Sequence, residues 1–245
     1  VKKYLFVFAL LLCVVSLFGQ DLFSIAEKGT PEQIQAAIKA GADVNAKDDA
    51  GKTVLMYAAR YNQNPDVITT LIKAGADVNA RNDRWTVLKY AAWFNQNPDV
   101  ITALIKAGAD VNARDDDGLT VLVYAALGNQ NPDVITTLIK AGADLHAKYK
   151  DGWDALMYAA YNNQNPDVIT TLIKAGADVH ARNVFGLTAL MSAARHNHNL
   201  DVITTLINAG ADVHARDDDG RTVLMCAARY NQIPDVITTL IQAGA

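Results

Sequence analysis

The chain has 245 residues and a net charge of −4, from 22 lysines and arginines against 26 aspartates and glutamates. The negative balance excludes the basic footprint of a nucleic-acid binder. Two cysteines exclude a disulfide framework.

Residues 1–19 read as an export signal. Lys2 and Lys3 form a basic start, Tyr4 to Val15 an apolar run, and Ser16 to Gly19 a set of small residues for cleavage after Gly19. The apolar run is short for a membrane span of about 20 residues. The membrane is therefore expected to meet the protein only through this segment, and the mature chain is expected to be periplasmic, cell-envelope or secreted. Cys13 follows Leu12, a residue too large for lipoprotein processing. Removal of the segment lowers the net charge to −6 and leaves Cys226 as the single cysteine, which forms no intrachain disulfide.

From residue 20 to 245 the chain repeats itself, with boundaries near 21–46, 47–80, 81–113, 114–147, 148–181, 182–215 and 216–245. The beat is kept by Gly41, Gly75, Gly108, Gly142, Gly176, Gly210 and Gly244, in five steps of 34 residues and one of 33. A fixed period of this size means stacked supersecondary units that need no single large core. Asp21 to Ala46 is a degenerate first copy. Asn62 to Ala80, NQNPDVITTLIKAGADVNA, shows the unit best. Asn64 is placed to cap a helix that begins at Pro65, Asp66 and Lys73 suit its two ends, Val67, Ile68, Leu71 and Ile72 form a buried stripe, and Gly75 ends it. All six prolines share the Pro65 register, where repeat six has Leu200. A shorter helix follows Thr53, with the small pair Ala58 and Ala59 on one side, and the pair recurs in every later copy. Between helix pairs, DVNAKDDAG is too polar for helix and reads as an extended finger with a turn at its tip. The final copy stops just after Gly244 without a distinct polar cap, and Ile233 stands where a capping asparagine is expected.

These features resemble the ankyrin repeat, a unit of about 33 residues with a β-turn, two helices and a T-P-L-H-x-A signature. The chain carries G-x-T-x-L-x-x-A-A followed by G-A-D-V-N-A, and the resemblance runs from Asp21 to Ala245. It implies an all-α repeat solenoid of helix-turn-helix units with β-hairpin-like fingers, seven repeats of which the first and last are incomplete. The signature departs at Thr53-Val54, Thr188-Ala189 and Asp154-Ala155, and its histidine is replaced by Met56, Lys89, Val123, Met157, Met191 or Met225. The tetratricopeptide repeat has a similar length, but its spaced Trp, Leu-Gly and Tyr are absent.

Several ladders invite a chemical reading. Lys47, Arg81, Arg114, Lys148, Arg182 and Arg216 form a basic row, offset by nearby aspartates and by the acidic tips Asp115 to Asp117 and Asp217 to Asp219. A solvated, locally paired edge is expected, with no nucleic-acid partner. His146, His180 and His214 replace Asn45, Asn79 and Asn112, which reads as one hydrogen-bonding residue exchanged for another. Zinc ligands all lie within about 2.3 Å of the ion, and stacked repeats separate these rungs by about 10 Å. His196 and His198 lack a third ligand. Cys226 lacks a base. No cofactor or metal and no enzymatic activity are expected.

The resemblance places partner contacts at the finger tips and after the paired alanines. Those slots hold Trp85, Trp93, Phe94, Leu119, Leu127, Tyr149, Trp153, Tyr161, Phe185, Arg195, Arg229 and Tyr230. Trp, Tyr and Arg are the residue types enriched at binding hot spots. An unidentified protein or peptide is the expected partner, held on the concave face. The alternative is a structural protein that self-associates through its C-terminal repeat. Repeat three is the expected centre of binding. Its finger, RNDRWT, is one residue short, Arg84 or Trp85 replaces the turn glycine, and Trp93 and Phe94 follow. Trp93→Ala is expected to weaken binding at least roughly tenfold and to leave the unfolding midpoint nearly unchanged.

Overall fold

The computed structural model describes residues 21–83 and 85–245. The expected export signal and Arg84 lie outside the described residues.

Fourteen α-helices run in seven pairs among the described residues. The pairs are α1 (Leu22–Lys28) with α2 (Pro31–Lys39), α3 (Val54–Tyr61) with α4 (Pro65–Lys73), and α5 (Val87–Phe94) with α6 (Pro98–Lys106). They continue as α7 (Val121–Gly128) with α8 (Pro132–Lys140), α9 (Ala155–Asn162) with α10 (Pro166–Lys174), α11 (Ala189–His196) with α12 (Leu200–Asn208), and α13 (Val223–Tyr230) with α14 (Pro234–Gln242). The odd-numbered helices stack in one layer and the even-numbered helices in a second. The odd layer is the tighter, because its facing residues are the paired alanines, buried from Ala58 and Ala59 through Ala193 and Ala194.

The helix limits follow from side-chain chemistry. Thr53 accepts a hydrogen bond from the Met56 N–H at the start of α3, and Asp154 accepts one from the Met157 N–H at 2.9 Å at the start of α9. Asn64 accepts from the Asp66 N–H at 2.9 Å ahead of Pro65. Helix α4 ends at Gly75, whose φ of 97° an L-residue adopts only with strain. Ile233 offers no side-chain bond to α14, as its hydrocarbon side chain dictates.

Four of the fingers are turns closed by one polar side chain. In repeat two, Asp48 Oδ1 accepts from the N–H groups of Ala50 at 2.9 Å and Lys52 at 2.8 Å. Asp115, Asn183 and Asp217 do the same in their own repeats. The arms touch only at isolated antiparallel bridges, such as Lys47 with Thr53 and Arg81 with Thr86. The short finger of repeat three closes differently, with the Asn82 N–H donating to the Trp85 carbonyl at 3.1 Å.

Three ladders of side-chain amides hold the stack together. In the first, Asn95 Nδ2 donates to the carbonyls of Ala59 at 3.0 Å and Asn62 at 2.9 Å in the preceding repeat, while its Oδ1 accepts from the Asn97 N–H. Asn62, Asn129, Asn163, Asn197 and Asn231 repeat this pattern. In the second, Asn97, Asn131, Asn165 and Asn199 each donate back to a glutamine carbonyl at 2.7 Å. In the third, Asn45, Asn79 and Asn112 donate forward to Gly75, Gly108 and Gly142. Among the described residues, His146, His180 and His214 make no such bridge, which corrects the expected equivalence with asparagine. A primary amide donates and accepts from one planar group, and an imidazole cannot match both contacts at that reach.

Candidate functional site

The residues after the paired alanines form two columns. The first is Arg60, Trp93, Leu127, Tyr161, Arg195 and Arg229, and the second is Tyr61, Phe94, Gly128, Asn162, His196 and Tyr230. The side chains of Arg60, Trp93, Tyr161 and Arg195 each lean over the second-column residue of the next repeat. The Arg60 guanidinium lies 4.0 Å from the Phe94 ring centroid, and that of Arg195 lies 4.3 Å from Tyr230. The Tyr161 and His196 rings are 4.6 Å apart. Trp93 covers Gly128 so closely that a Cβ there would stand 2.5 Å from Trp93 Cε2. The sizes of the paired residues match, with tryptophan over glycine and arginine over an aromatic ring.

Two aromatic clusters result. In the first, Trp85 from the short finger lies 5.6 Å from Trp93, 5.9 Å from Phe94 and 4.7 Å from Tyr124. Sequence reasoning brought Trp85, Trp93 and Phe94 together correctly. It also expected Trp93 to be dispensable for stability, and the packing corrects that: the ring contacts Trp85, Phe94 and Tyr124 and seals Gly128, so its removal opens a gap between repeats. In the second cluster, Trp153 lies 5.9 Å from Tyr161, and beside them opens a cleft of about 600 Å³. Phe185 and Val184 stand over that cleft, 54% and 58% exposed.

Beneath the first cluster sits a group that sequence reasoning missed. Lys89 is fully buried, and its Nζ lies 3.5 Å from Asp115 Oδ2. The same carboxylate oxygen accepts from the Tyr124 hydroxyl at 2.6 Å. Burial pushes the Asp115 carboxyl up, but the hydroxyl of Tyr124, the N–H of Leu119 and the Lys89 charge together hold it below its ordinary value. Burial lowers Lys89 despite the attraction of Asp115. The expected acidic tips are corrected here. Asp115 and Asp217 are buried beneath their turns, because one oxygen of each accepts from backbone N–H groups and the other from a side chain, Tyr124 for Asp115 and Arg221 for Asp217, while their neighbours are more exposed. The one signal in the sequence was a lysine in a column of methionines.

The helix pairs, the fingers and the repeating caps run the length of the described chain. The family model for ankyrin repeats matches in three copies, over residues 22–115, 95–183 and 156–245. The chain belongs to the ankyrin-repeat family. No curated protein matches it. Ankyrin repeats are in general protein–protein interaction modules, and the twelve candidate contact residues divide on this frame. Trp85, Phe94, Leu119 and Trp153 rest partly on the ankyrin core, whereas Tyr161 and Phe185 are exposed. Leu127 and Tyr149 are half-buried, the Leu127 carbonyl accepting from Asn162 Nδ2 and the Tyr149 N–H donating to the Trp153 carbonyl. Arg229 is exposed and lies 5.3 Å from the Tyr230 ring. The basic row is paired in part across repeats, Arg81 with Asp116 and Arg182 with Asp218.

Proposed function

We propose that this ankyrin-repeat chain is an exported, non-enzymatic binding protein that holds a protein or peptide on its concave face. One observation carries the reading. The caps, the helix-ending glycines and two of the three amide ladders hardly change from repeat to repeat, while the side chains that differ gather as aromatic and arginine groups between the fingers and the odd-numbered helices. Two nucleophile-type residues of that layer, Ser192 and Cys226, are occupied or inert. Ser192 is buried and its hydroxyl donates to the Thr188 carbonyl at 3.0 Å, and burial pushes the Cys226 thiol up. The partner is not nucleic acid in this reading, since the basic row is offset by acids, and contact with the membrane is assigned to the expected export signal alone. Affinity capture from the cell envelope, repeated with Tyr161→Ala and Phe185→Ala together, tests it. A specific protein captured by the parent chain and lost with the variant supports the reading. Equal capture by both removes it.

A second reading rests on the C-terminal end. Met225 is 55% exposed and Ile241 56% exposed, whereas Met56, Met157 and Met191 in the same column as Met225 are at most 1% exposed. Self-association through this face would cover them. Sedimentation of the parent chain and of Met225→Lys with Ile241→Lys distinguishes the two, because only assembly predicts oligomers that the lysines dissolve.

A further inference from the structure

The cleft between repeats five and seven is lined by large apolar side chains and by several charged ones. Trp153, Tyr161 and Phe185 line it together with Arg195, Asp218 and Arg221. The acids already have cations. Asp218 pairs with Arg182 at 3.3 Å, and Asp219 and Asp217 pair with Arg221 at 2.6 and 2.7 Å. Arg195 differs. Among the described residues no carboxylate pairs with it, its guanidinium is stacked on Tyr230, and its buried Nε meets no acceptor. Its Nε has lost hydration without gaining an acceptor, which leaves Arg195 as the arginine of the cleft that holds no carboxylate. Arg60 has the same stacked arrangement in repeat two, but there the surface opens into a hollow of only about 40 Å³.

We infer that this cleft holds a peptide segment in which a large apolar side chain stands beside an aspartate or glutamate, the apolar group against Phe185 and Trp153 and the carboxylate on Arg195. A chain-terminal carboxylate fits less well, because it needs free backbone N–H groups. Those of the surrounding fingers are spent: Val184 donates to the Asp151 carbonyl, Asp218 to the Phe185 carbonyl, and Asp219 and Arg221 to Asp217 Oδ1. A basic segment would meet acids that arginines already engage and, at Arg195, a charge that repels it. The inference rests on the proposed binding role and narrows it to one site and one chemistry.

The test is selection of a phage-displayed random decapeptide library on the whole chain, followed by titration of the selected peptides as synthetic probes. The expected peptides carry Phe, Trp or Leu adjoining Asp or Glu. Their binding is expected to fall at least tenfold with Arg195→Met and with Phe185→Ala, to survive in part with Arg195→Lys, and to be unchanged by Arg60→Met. Thermal unfolding of each variant shows whether the repeat remains folded, and Arg195→Met preserves an unbranched stem over Tyr230. Selected peptides without an acid, or undiminished binding to Arg195→Met, overturn the inference while leaving the binding role intact. Failure of the library to yield any peptide above background overturns both.

Discussion

Asp115 and Asp217 are the same turn residue solved with different cations. Asp217 takes its charge partner from within its own finger, Arg221 Nε at 2.7 Å. Repeat four has Leu119 at that position, and the cation comes instead from Lys89 in the preceding repeat. Breaking a buried pair from one side leaves an uncompensated charge, so Lys89→Met is expected to cost about 3 kcal/mol in urea unfolding at pH 7. Adding Leu119→Arg is expected to restore most of that loss, whereas Leu119→Arg beside an intact Lys89 is not expected to stabilise. The pH dependence has a definite sign. Asp115 has a folded pKa below its unfolded value of about 3.9, so its contribution is complete above that pH and is lost as pH falls through the folded value. Once pH has fallen through that lowered folded value, the parent chain holds a buried ammonium without its anion, and Lys89→Met is then expected to be the more stable of the two. Unfolding curves collected from pH 7 downward should therefore cross. Tyr57 follows the opposite course at the alkaline end. Its hydrogen bond to Asp48, aided by burial, raises the phenol to about 12, so stability held below pH 10 is lost as pH rises toward that value.

At the scale of helices, the last pair lacks what the others share. Asn97, Asn131, Asn165 and Asn199 each cap a helix and donate back to the preceding repeat, and Ile233 does neither. A helix cap and a net hydrogen bond are each worth about 1 kcal/mol, so Ile233→Asn is expected to stabilise the chain by roughly 1–2 kcal/mol. Amide exchange should then slow mainly in α13 and α14, which are otherwise expected to open before the rest. The sequence was legible at this scale because caps and terminators are local: Thr53, Asn64, Pro65 and Gly75 act within a few residues of themselves. The ladders were not legible in the same way. Asn62 and Asn95 carry no local mark of burial, and their partners lie 33 and 36 residues back. Their recurrence at one slot in six repeats was the only hint. The aromatic slots were found from the sequence, but which of them face water depends on the neighbour that each one covers.

Across the whole molecule, the diagonal pairs couple each repeat to the next by shape. Gly128 is helical, and alanine there would gain about 1 kcal/mol in helix propensity. The Trp93 ring occupies the space its Cβ needs, and overpacking costs about 1–3 kcal/mol. Gly128→Ala is therefore expected to destabilise the parent chain and to stabilise a Trp93→Ala chain. That reversal of sign would appear as a coupling of about 2 kcal/mol in a double-mutant cycle by chemical denaturation. Equal effects in the two backgrounds would show that the ring does not rest on Gly128.

Those diagonals also make the repeats behave like dominoes, playable only in certain orders despite their near-identical faces. A unit that ends in Trp93 accepts a successor with glycine at the matching square, and one that ends in Arg60 or Arg195 accepts an aromatic ring. Duplicating repeat three in tandem would set tryptophan against phenylalanine where glycine now stands, although every local signal for folding would be preserved. New members of such an array would arise most readily by copying adjacent units together, so that each side chain travels with the hollow that receives it.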